Sequence, residues 1–199
     1  MKTYFSTQIY HQKMHLSLQE LNEEIDLIKK SDKLGRIWSK TNYKYGYTSY
    51  GSLDHLHQFS STFADLEKKI DRHVNQFLKN LDYQAHVKKD LKMTDCWVNI
   101  MSKGASHGSH IHPLSVISGT FYVVAPFQAS GIKFEDPRLA LFMNSPPLIP
   151  KAHAKNSRFI TLQPQAGDLI LFESWLKHEV PTNHGKTPRV SVSFNYSWN

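Results

Sequence analysis

The stretch Arg189-Val-Ser-Val-Ser-Phe-Asn-Tyr-Ser-Trp198 alternates polar and apolar side chains at every position. Because successive side chains of a β-strand point to opposite faces, this pattern predicts a strand with one apolar and one polar face. The alternation alone favours an edge strand whose polar face, which carries Arg189 and Ser191, lies in water. A polar face that lines a cavity is the alternative, and the position of Arg189 after His178 favours it.

Further short strands are predicted from Cys96 onward. The stretch from Asp168 to His178 is strongly apolar, and we interpret it as a strand that delivers His178 at its end. Leu139–Asn156, which contains three prolines, predicts a long irregular loop. Short strands separated by glycine- and proline-containing turns favour a sandwich or a barrel. The other predicted strands cover residues 97–101, 118–125, 131–134, 159–162 and 168–172.

The first 95 residues are predicted to be mostly helical. Ser17-Leu-Gln-Glu20 is a capping box that begins one amphipathic helix, and a second helix is predicted from about Thr62 to Leu81. Glycines and aromatic residues over Lys33–Ser52 predict a loop that either packs on the helices or covers a pocket. No linker divides the chain, so we expect one domain over residues 1–199, with residues 1–95 supporting a β core at residues 96–199.

The composition is that of an ordinary globular domain, with 199 residues, 40% hydrophobic and 21% charged. The net charge of +7 is spread without a run of like charges, so no nucleic-acid partner is expected. No segment predicts a signal peptide or a membrane span, so no membrane partner is expected either. The single cysteine, Cys96, excludes an internal disulfide and indicates a reducing compartment, which predicts a cytoplasmic protein.

Three histidines are candidate metal ligands. His110 and His112 stand two apart, so in an extended segment both imidazoles point the same way, and His178 supplies a third. The His-x-His pair is weak evidence by itself, because His55-Leu-His57 repeats it without a strand around it. Three imidazoles could hold Zn²⁺, which activates water, or Fe(II), which oxygenases use.

Arg189 distinguishes these two kinds of site. A zinc hydrolase needs no fixed arginine beside its metal, whereas an iron enzyme that uses 2-oxoglutarate must anchor the distal carboxylate of that acid. An arginine does this through two parallel N–H bonds, and Ser191 adds a hydroxyl on the same strand face. The pattern therefore favours Fe(II) with 2-oxoglutarate as cosubstrate.

At these residues the chain resembles the 2-oxoglutarate/Fe(II)-dependent oxygenase superfamily, and within it a group with a His-x-His-Pro motif. The resemblance implies a mainly β fold with a double-stranded β-helix (jelly-roll) core and helices packed outside it. The segments that carry the resemblance, in chain order, are Phe5–Ile9, Gly46–Leu53, Trp97–Ile100, His110–Pro113, Ser118–Tyr122, Gly131–Arg138, Gly167–Phe172, His178 and Arg189–Asn195.

The resemblance also implies a ligand set. His110 and His178 match the two catalytic histidines that bind the metal. His112 stands where most of the superfamily has aspartate. Either three histidines bind the iron, or His110 and His178 bind it with water in the third position.

The implied cosubstrate is 2-oxoglutarate, held by Arg189 and Ser191, with Asn99 and Tyr122 as candidates to line its pocket. The implied activity is hydroxylation of a small-molecule or peptidyl substrate with release of succinate and CO₂. The rival enzyme is a three-histidine cupin-like dioxygenase or isomerase that uses no 2-oxoglutarate, in which Arg189 would face solvent or pair with a protein carboxylate. A ligand-binding jelly roll with accidental histidines is the non-enzymatic alternative.

Overall fold

Two antiparallel β-sheets form the centre of the computed structural model, which describes residues 1–199. The six-stranded sheet has the order β1 (Ile9–Lys13), β8 (Asp168–Glu173), β5 (Ile117–Val124), β10 (Arg189–Trp198), β3 (Leu91–Met101) and β2 (Gly46–Thr48). The four-stranded sheet has the order β4 (His107–His110), β9 (His178–Val180), β6 (Ile132–Glu135) and β7 (Phe159–Leu162). The mainly β, jelly-roll fold class is confirmed.

β10 lies between β5 and β3 inside the larger sheet, so the edge strand that the alternation alone favours is wrong, and the alternative of a polar face that lines a cavity is the one observed. Its apolar side chains from Val190 to Tyr196 belong to the main core, where Val192 and Phe194 are fully buried, and Trp198 at its end is exposed. On its other face, Ser191 is opposite Asn99 of β3 and Tyr122 of β5. Because directly paired residues of adjacent strands share a face, all three side chains point towards the second sheet.

Four helices complete the chain: α1 (Leu18–Ser31), α2 (Lys33–Asn42), α3 (Leu56–Phe59) and α4 (Ser61–Asn80). The N-cap of the predicted capping box is confirmed, since the Ser17 side chain accepts a hydrogen bond from the Glu20 backbone N–H. α1 and α4 bury their apolar stripes in the same core as the strand residues of the larger sheet. None of the helices is both long and apolar enough to span a membrane.

α2 corrects the loop predicted over Lys33–Ser52. The helix buries Gly35 and Ser39, whereas Leu34, Ile37 and Trp38 face solvent. Sequence reasoning expects apolar residues on the buried side of a helix. Here the apolar residues lie on the outer side, so the usual helical signal is reversed.

Two other boundaries differ from those expected, and a third segment agrees. β1 covers Ile9–Lys13, beyond the Phe5–Ile9 segment that resembles an N-terminal strand. β3 begins at Leu91, so residues 1–95 contribute β1, β2 and the start of β3 to the larger sheet as well as the helices. The irregular segment from Leu139 to Asn156 is confirmed, with two short 3₁₀ turns, Leu139–Leu141 and Ala154–Asn156.

Candidate metal centre

Three imidazoles converge between the two sheets. Their ligand nitrogens, on His110, His112 and His178, all lie within 4.8 Å of one another. β4 and β9 pair with His110 opposite His178, and the centroids of these two rings are 4.4 Å apart. Metal–imidazole bonds of about 2.0–2.1 Å place ligand nitrogens within about 4 Å of each other, so only a small side-chain movement would let all three bind one ion.

The backbone delivers these rings differently from the sequence prediction. His178 does not end β8, because that strand stops at Glu173 and a turn over residues 174–177 leads to β9, which His178 begins. His112 follows β4 rather than lying in it. A backbone hydrogen bond of 3.0 Å from the His112 N–H to the Ser174 carbonyl fixes its position. The turn after β8 therefore positions two of the three rings.

Two of the imidazoles have their orientation fixed by the main chain. The Nδ1 atom of His110 lies 2.7 Å from the Gly108 carbonyl oxygen, and Nδ1 of His178 lies 2.9 Å from the Leu176 carbonyl oxygen. A carbonyl only accepts, so each Nδ1 carries the proton. The Nε2 lone pair of both rings is then free for a metal ion, as in most histidine-bound metal sites.

Burial keeps the imidazoles of His112 and His178 neutral. It lowers the pKa of His178 to about 3, although the hydrogen bond to Leu176 acts in the opposite direction. Burial and the neighbouring His110 lower the pKa of His112 to about 4. A histidine must be neutral to bind a metal, so both rings are ready to do so at neutral pH.

Arg189 is buried in the same cavity without a carboxylate partner. It is only 3% exposed and takes part in none of the ion pairs of the structure. One terminal nitrogen donates to the Met101 sulfur at 2.8 Å, and Nε has no partner. The guanidinium carbon lies 4.8 Å from the centroid of the Tyr122 ring. A buried guanidinium with so few partners is costly unless an anion completes its hydrogen bonds.

Other unpaired polar atoms surround Arg189. The hydroxyl oxygens of Tyr122 and Tyr43 and the side-chain oxygen of Asn99 are buried and have no hydrogen-bond partner. Burial raises the pKa of Tyr43 to about 12, with the charge of Arg189 opposing that shift, so the hydroxyl keeps its proton and can donate. Ser191 is buried and lines the cavity together with Asn99 and Arg189. Arg189 and the hydroxyls of Tyr122, Tyr43 and Ser191 can therefore donate to an anion, whereas the Asn99 oxygen can only accept.

The structure adds site residues that the sequence prediction missed. His107, at the start of β4, lines the cavity, and its ring stacks on Tyr43 with centroids 5.1 Å apart. Trp97 and Ser193 line the cavity as well. Ser193 could have been predicted from the alternation of β10, because it is the next residue after Ser191 on the polar face of that strand. Tyr43 lies in the aromatic loop predicted over Lys33–Ser52, for which covering a pocket was one of two alternatives, but nothing distinguished it there from the other tyrosines.

The family described as "Putative 2OG-Fe(II) oxygenase" matches residues 95–195 of the chain. No curated protein sequence matches this chain.

Solved structures with a similar fold include HygX from Streptomyces hygroscopicus, crystallised with nickel and 2-oxoglutarate, with a TM-score of 0.65, 12% identity and coverage of 96% of this chain and 83% of that one. The epimerase SnoN from nogalamycin biosynthesis, described as alpha-ketoglutarate dependent, gives a TM-score of 0.67, 12% identity and coverage of 96% and 78%. A Pseudomonas putida prolyl-4-hydroxylase gives a TM-score of 0.63 and 13% identity, with coverage of 97% of this chain and 94% of that one. At these identities the similarity shows a common fold.

Proposed function

This chain belongs to the 2OG-Fe(II) oxygenase family, and from that membership we propose that it hydroxylates an organic substrate with release of succinate and CO₂. The protein is an enzyme, a 2-oxoglutarate-dependent Fe(II) oxygenase. Its cofactor is Fe(II) and its cosubstrate is 2-oxoglutarate. The substrate is a small molecule or a peptidyl side chain, and the cytoplasmic location remains a prediction from the single cysteine.

In the proposed centre His110, His112 and His178 hold the iron. The fit rests on the convergence of their nitrogens and on the free Nε2 lone pairs of His110 and His178. A two-histidine centre, with water in place of His112, is the alternative. The position of His112 within the same 4.8 Å cluster favours three ligands.

Arg189 anchors the distal carboxylate of 2-oxoglutarate in this proposal. Ser191 and the unpaired hydroxyl of Tyr122 donate to the same carboxylate, and Asn99 lines the pocket beside them. The cavity is narrow, about 40 Å³, and the Met101 sulfur occupies one guanidinium donor, so binding of the acid would require the flexible thioether to move aside. Iron and 2-oxoglutarate supply the activation of O₂, while the protein positions the reactants and excludes water.

The observation that carries the proposal is the burial of Arg189 without a carboxylate partner. In a cupin-like dioxygenase that uses no 2-oxoglutarate, this side chain would be exposed or paired with a protein carboxylate. Neither is the case, so the rival function is disfavoured. A dicarboxylic acid that reaches from the metal to the guanidinium satisfies both ends of the cavity.

The test is formation of succinate from 2-oxoglutarate by the iron-loaded protein in the presence and absence of O₂. We expect slow succinate formation without any added substrate, dependent on both Fe(II) and O₂. His178→Ala serves as the matched control without the metal centre. If the wild-type protein binds iron yet produces no more succinate than this variant, the proposed function is wrong.

A further inference from the structure

A cavity opens from the candidate metal centre towards α2. Its volume is about 200 Å³, and the rings of His110 and His112 form its floor. Aromatic side chains continue the lining from His112, on which Trp97 stacks, through Tyr50, whose ring centroid is 5.0 Å from that of Trp97, to Trp38. A molecule bound here would contact the imidazoles and the aromatic rings together.

A second cavity, of about 450 Å³, continues this space across the outer surface of α2. The two share Trp38 and Tyr50, so they form one groove, called here the aromatic groove. Leu34 is 73% and Ile37 57% exposed at its outer end. Apolar helix residues left in water next to an active-site entrance mark a binding surface more often than an accident of packing.

No charged side chain lines the aromatic groove. Its polar groups are amides and hydroxyls, such as those of Thr41, Asn42, Ser52 and Asn195, together with imidazoles. The ammonium and carboxylate of a free amino acid would lose water here without gaining an ion pair. The groove therefore disfavours zwitterions.

A buried carboxylate holds the walls of the aromatic groove in place. Asp32 accepts hydrogen bonds from the Gly35 backbone N–H at 2.8 Å, the Tyr47 hydroxyl at 2.8 Å and the Ser52 hydroxyl at 2.7 Å. These bonds join the start of α2 to β2 and to the turn that carries Tyr50. The groove is therefore preformed, as ligand pockets usually are.

The neighbouring sheet edge is not open to a peptide strand. The Ser39 hydroxyl of α2 accepts from the Thr48 backbone N–H at 3.1 Å and donates to the Thr48 carbonyl at 3.4 Å. An extended peptide gains affinity mainly from backbone bonds to a free edge. Without that edge, the groove offers a peptide few partners for its amides.

We propose that the substrate of this site is an uncharged, ring-bearing small molecule, rather than a free amino acid or a peptide, that stacks along Trp97, Tyr50 and Trp38. This inference rests on the proposed oxygenase function, because it names the class of molecule that would reach the iron. The volumes of the two cavities together fall within the roughly 300–1,000 Å³ that drug-sized ligands occupy. Flat aromatic walls with neutral polar rims suit a ring system that carries hydroxyl or carbonyl groups.

The test measures binding of three probes to the full-length protein by saturation-transfer NMR, both metal-free and iron-loaded under nitrogen. The probes are coumarin, phenylalanine and the capped peptide acetyl-Gly-Phe-Gly-amide. We expect coumarin to bind most tightly and phenylalanine not to bind. Trp38→Ala and Tyr50→Ala should each weaken coumarin binding by about two- to tenfold, the effect of losing one aromatic contact. The matched control is Trp198→Ala, since Trp198 is 61% exposed at the opposite end of β10.

Tighter binding of phenylalanine or of the peptide than of coumarin would overturn the inference. So would an absence of coumarin binding, or coumarin binding that neither Trp38→Ala nor Tyr50→Ala changes. Binding to the metal-free protein is independent of turnover. Coumarin binding without succinate formation therefore counts against the oxygenase function alone, and succinate formation without coumarin binding counts against the substrate class alone.

Discussion

The guanidinium of Arg189 tests the cosubstrate most directly, because its hydrogen-bonding capacity is largely unused in the folded protein. Hydrogen bonds to a charged group contribute about 1.5–3 kcal/mol net. We therefore expect Arg189→Gln to raise the 2-oxoglutarate dissociation constant at least tenfold, with iron affinity nearly unchanged, as measured by calorimetry. The 2-oxoglutarate dissociation constant of Arg189→Lys should lie between those of the wild type and Arg189→Gln, because lysine keeps the charge and loses the planar pair of donors.

Arg138→Gln is the matched control, since Arg138 is exposed and pairs with Asp136 at the surface. It should bind 2-oxoglutarate like the wild type. If Arg189→Gln binds the acid normally as well, the anchor assignment is wrong, and a dioxygenase that uses no 2-oxoglutarate becomes the better interpretation.

Substitution of the histidines decides the number of metal ligands. His178→Ala should abolish activity and most iron binding, because it removes a buried ligand that the Leu176 carbonyl orients. If three histidines bind the ion, His112→Ala should lose iron to a comparable extent, measured by metal content after dialysis. A His112→Ala protein that keeps its iron and its succinate formation would instead establish a two-histidine centre.

At this scale the sequence identified the three histidines and Arg189, because their spacing and strand context restrict what they can do. It placed His112 on a strand and His178 at the end of β8, and both placements are wrong. A turn that bonds to another segment, as Ser174 does to His112, leaves no periodic pattern in the sequence. Within the predicted aromatic loop Tyr43 was not singled out for the same reason, since His107, on which it stacks, is distant in the chain.

Among the elements, α2 depends on Asp32 more than on its own apolar residues. Asp32→Ala would remove the N-cap and leave the Tyr47 hydroxyl without its partner. From the hydrogen bonds lost we expect a decrease of about 2–4 kcal/mol in the free energy of unfolding, measured by urea denaturation. Asp26→Ala, an exposed substitution in α1 without such contacts, should change it little. Equal stability of the two variants would contradict this role.

The elements that the sequence predicts best are those whose apolar face is buried. β10 was placed with its correct limits, because Val192 and Phe194 enter the core at every second position. α4 was predicted to within a residue or two at each end, for the same reason. α2 was not predicted, because its apolar residues do not pack into the core. They face outward and line the aromatic groove instead.

For the whole molecule, burial of histidines predicts a pH dependence of stability. Burial lowers their pKa below the ordinary value of 6.5, to about 4 or below for the three with the largest shifts. The unfolded chain therefore binds more protons than the folded chain between these values, and the folded state loses stability as the pH falls. The five histidines concerned are His57, His73, His107, His112 and His178.

We expect the free energy of unfolding of the metal-free protein to decrease steadily from about pH 6.5 to pH 4. Urea denaturation at a series of pH values measures it. Stability that stays constant across this interval would show that these histidines are as accessible to protons in the folded protein as in the unfolded one.

β10 supplies Arg189 and Ser191 to the cavity and Val192 and Phe194 to the core, with the two sets in strict alternation. The side-chain period of a strand is two, so shifting the chain by one position exchanges its faces. A single-residue insertion or deletion inside this strand would turn the serines into the hydrophobic core and the core residues into the cavity. β10 should therefore tolerate no change in length, and length variants that still fold should be confined to loops such as that from Leu139 to Asn156.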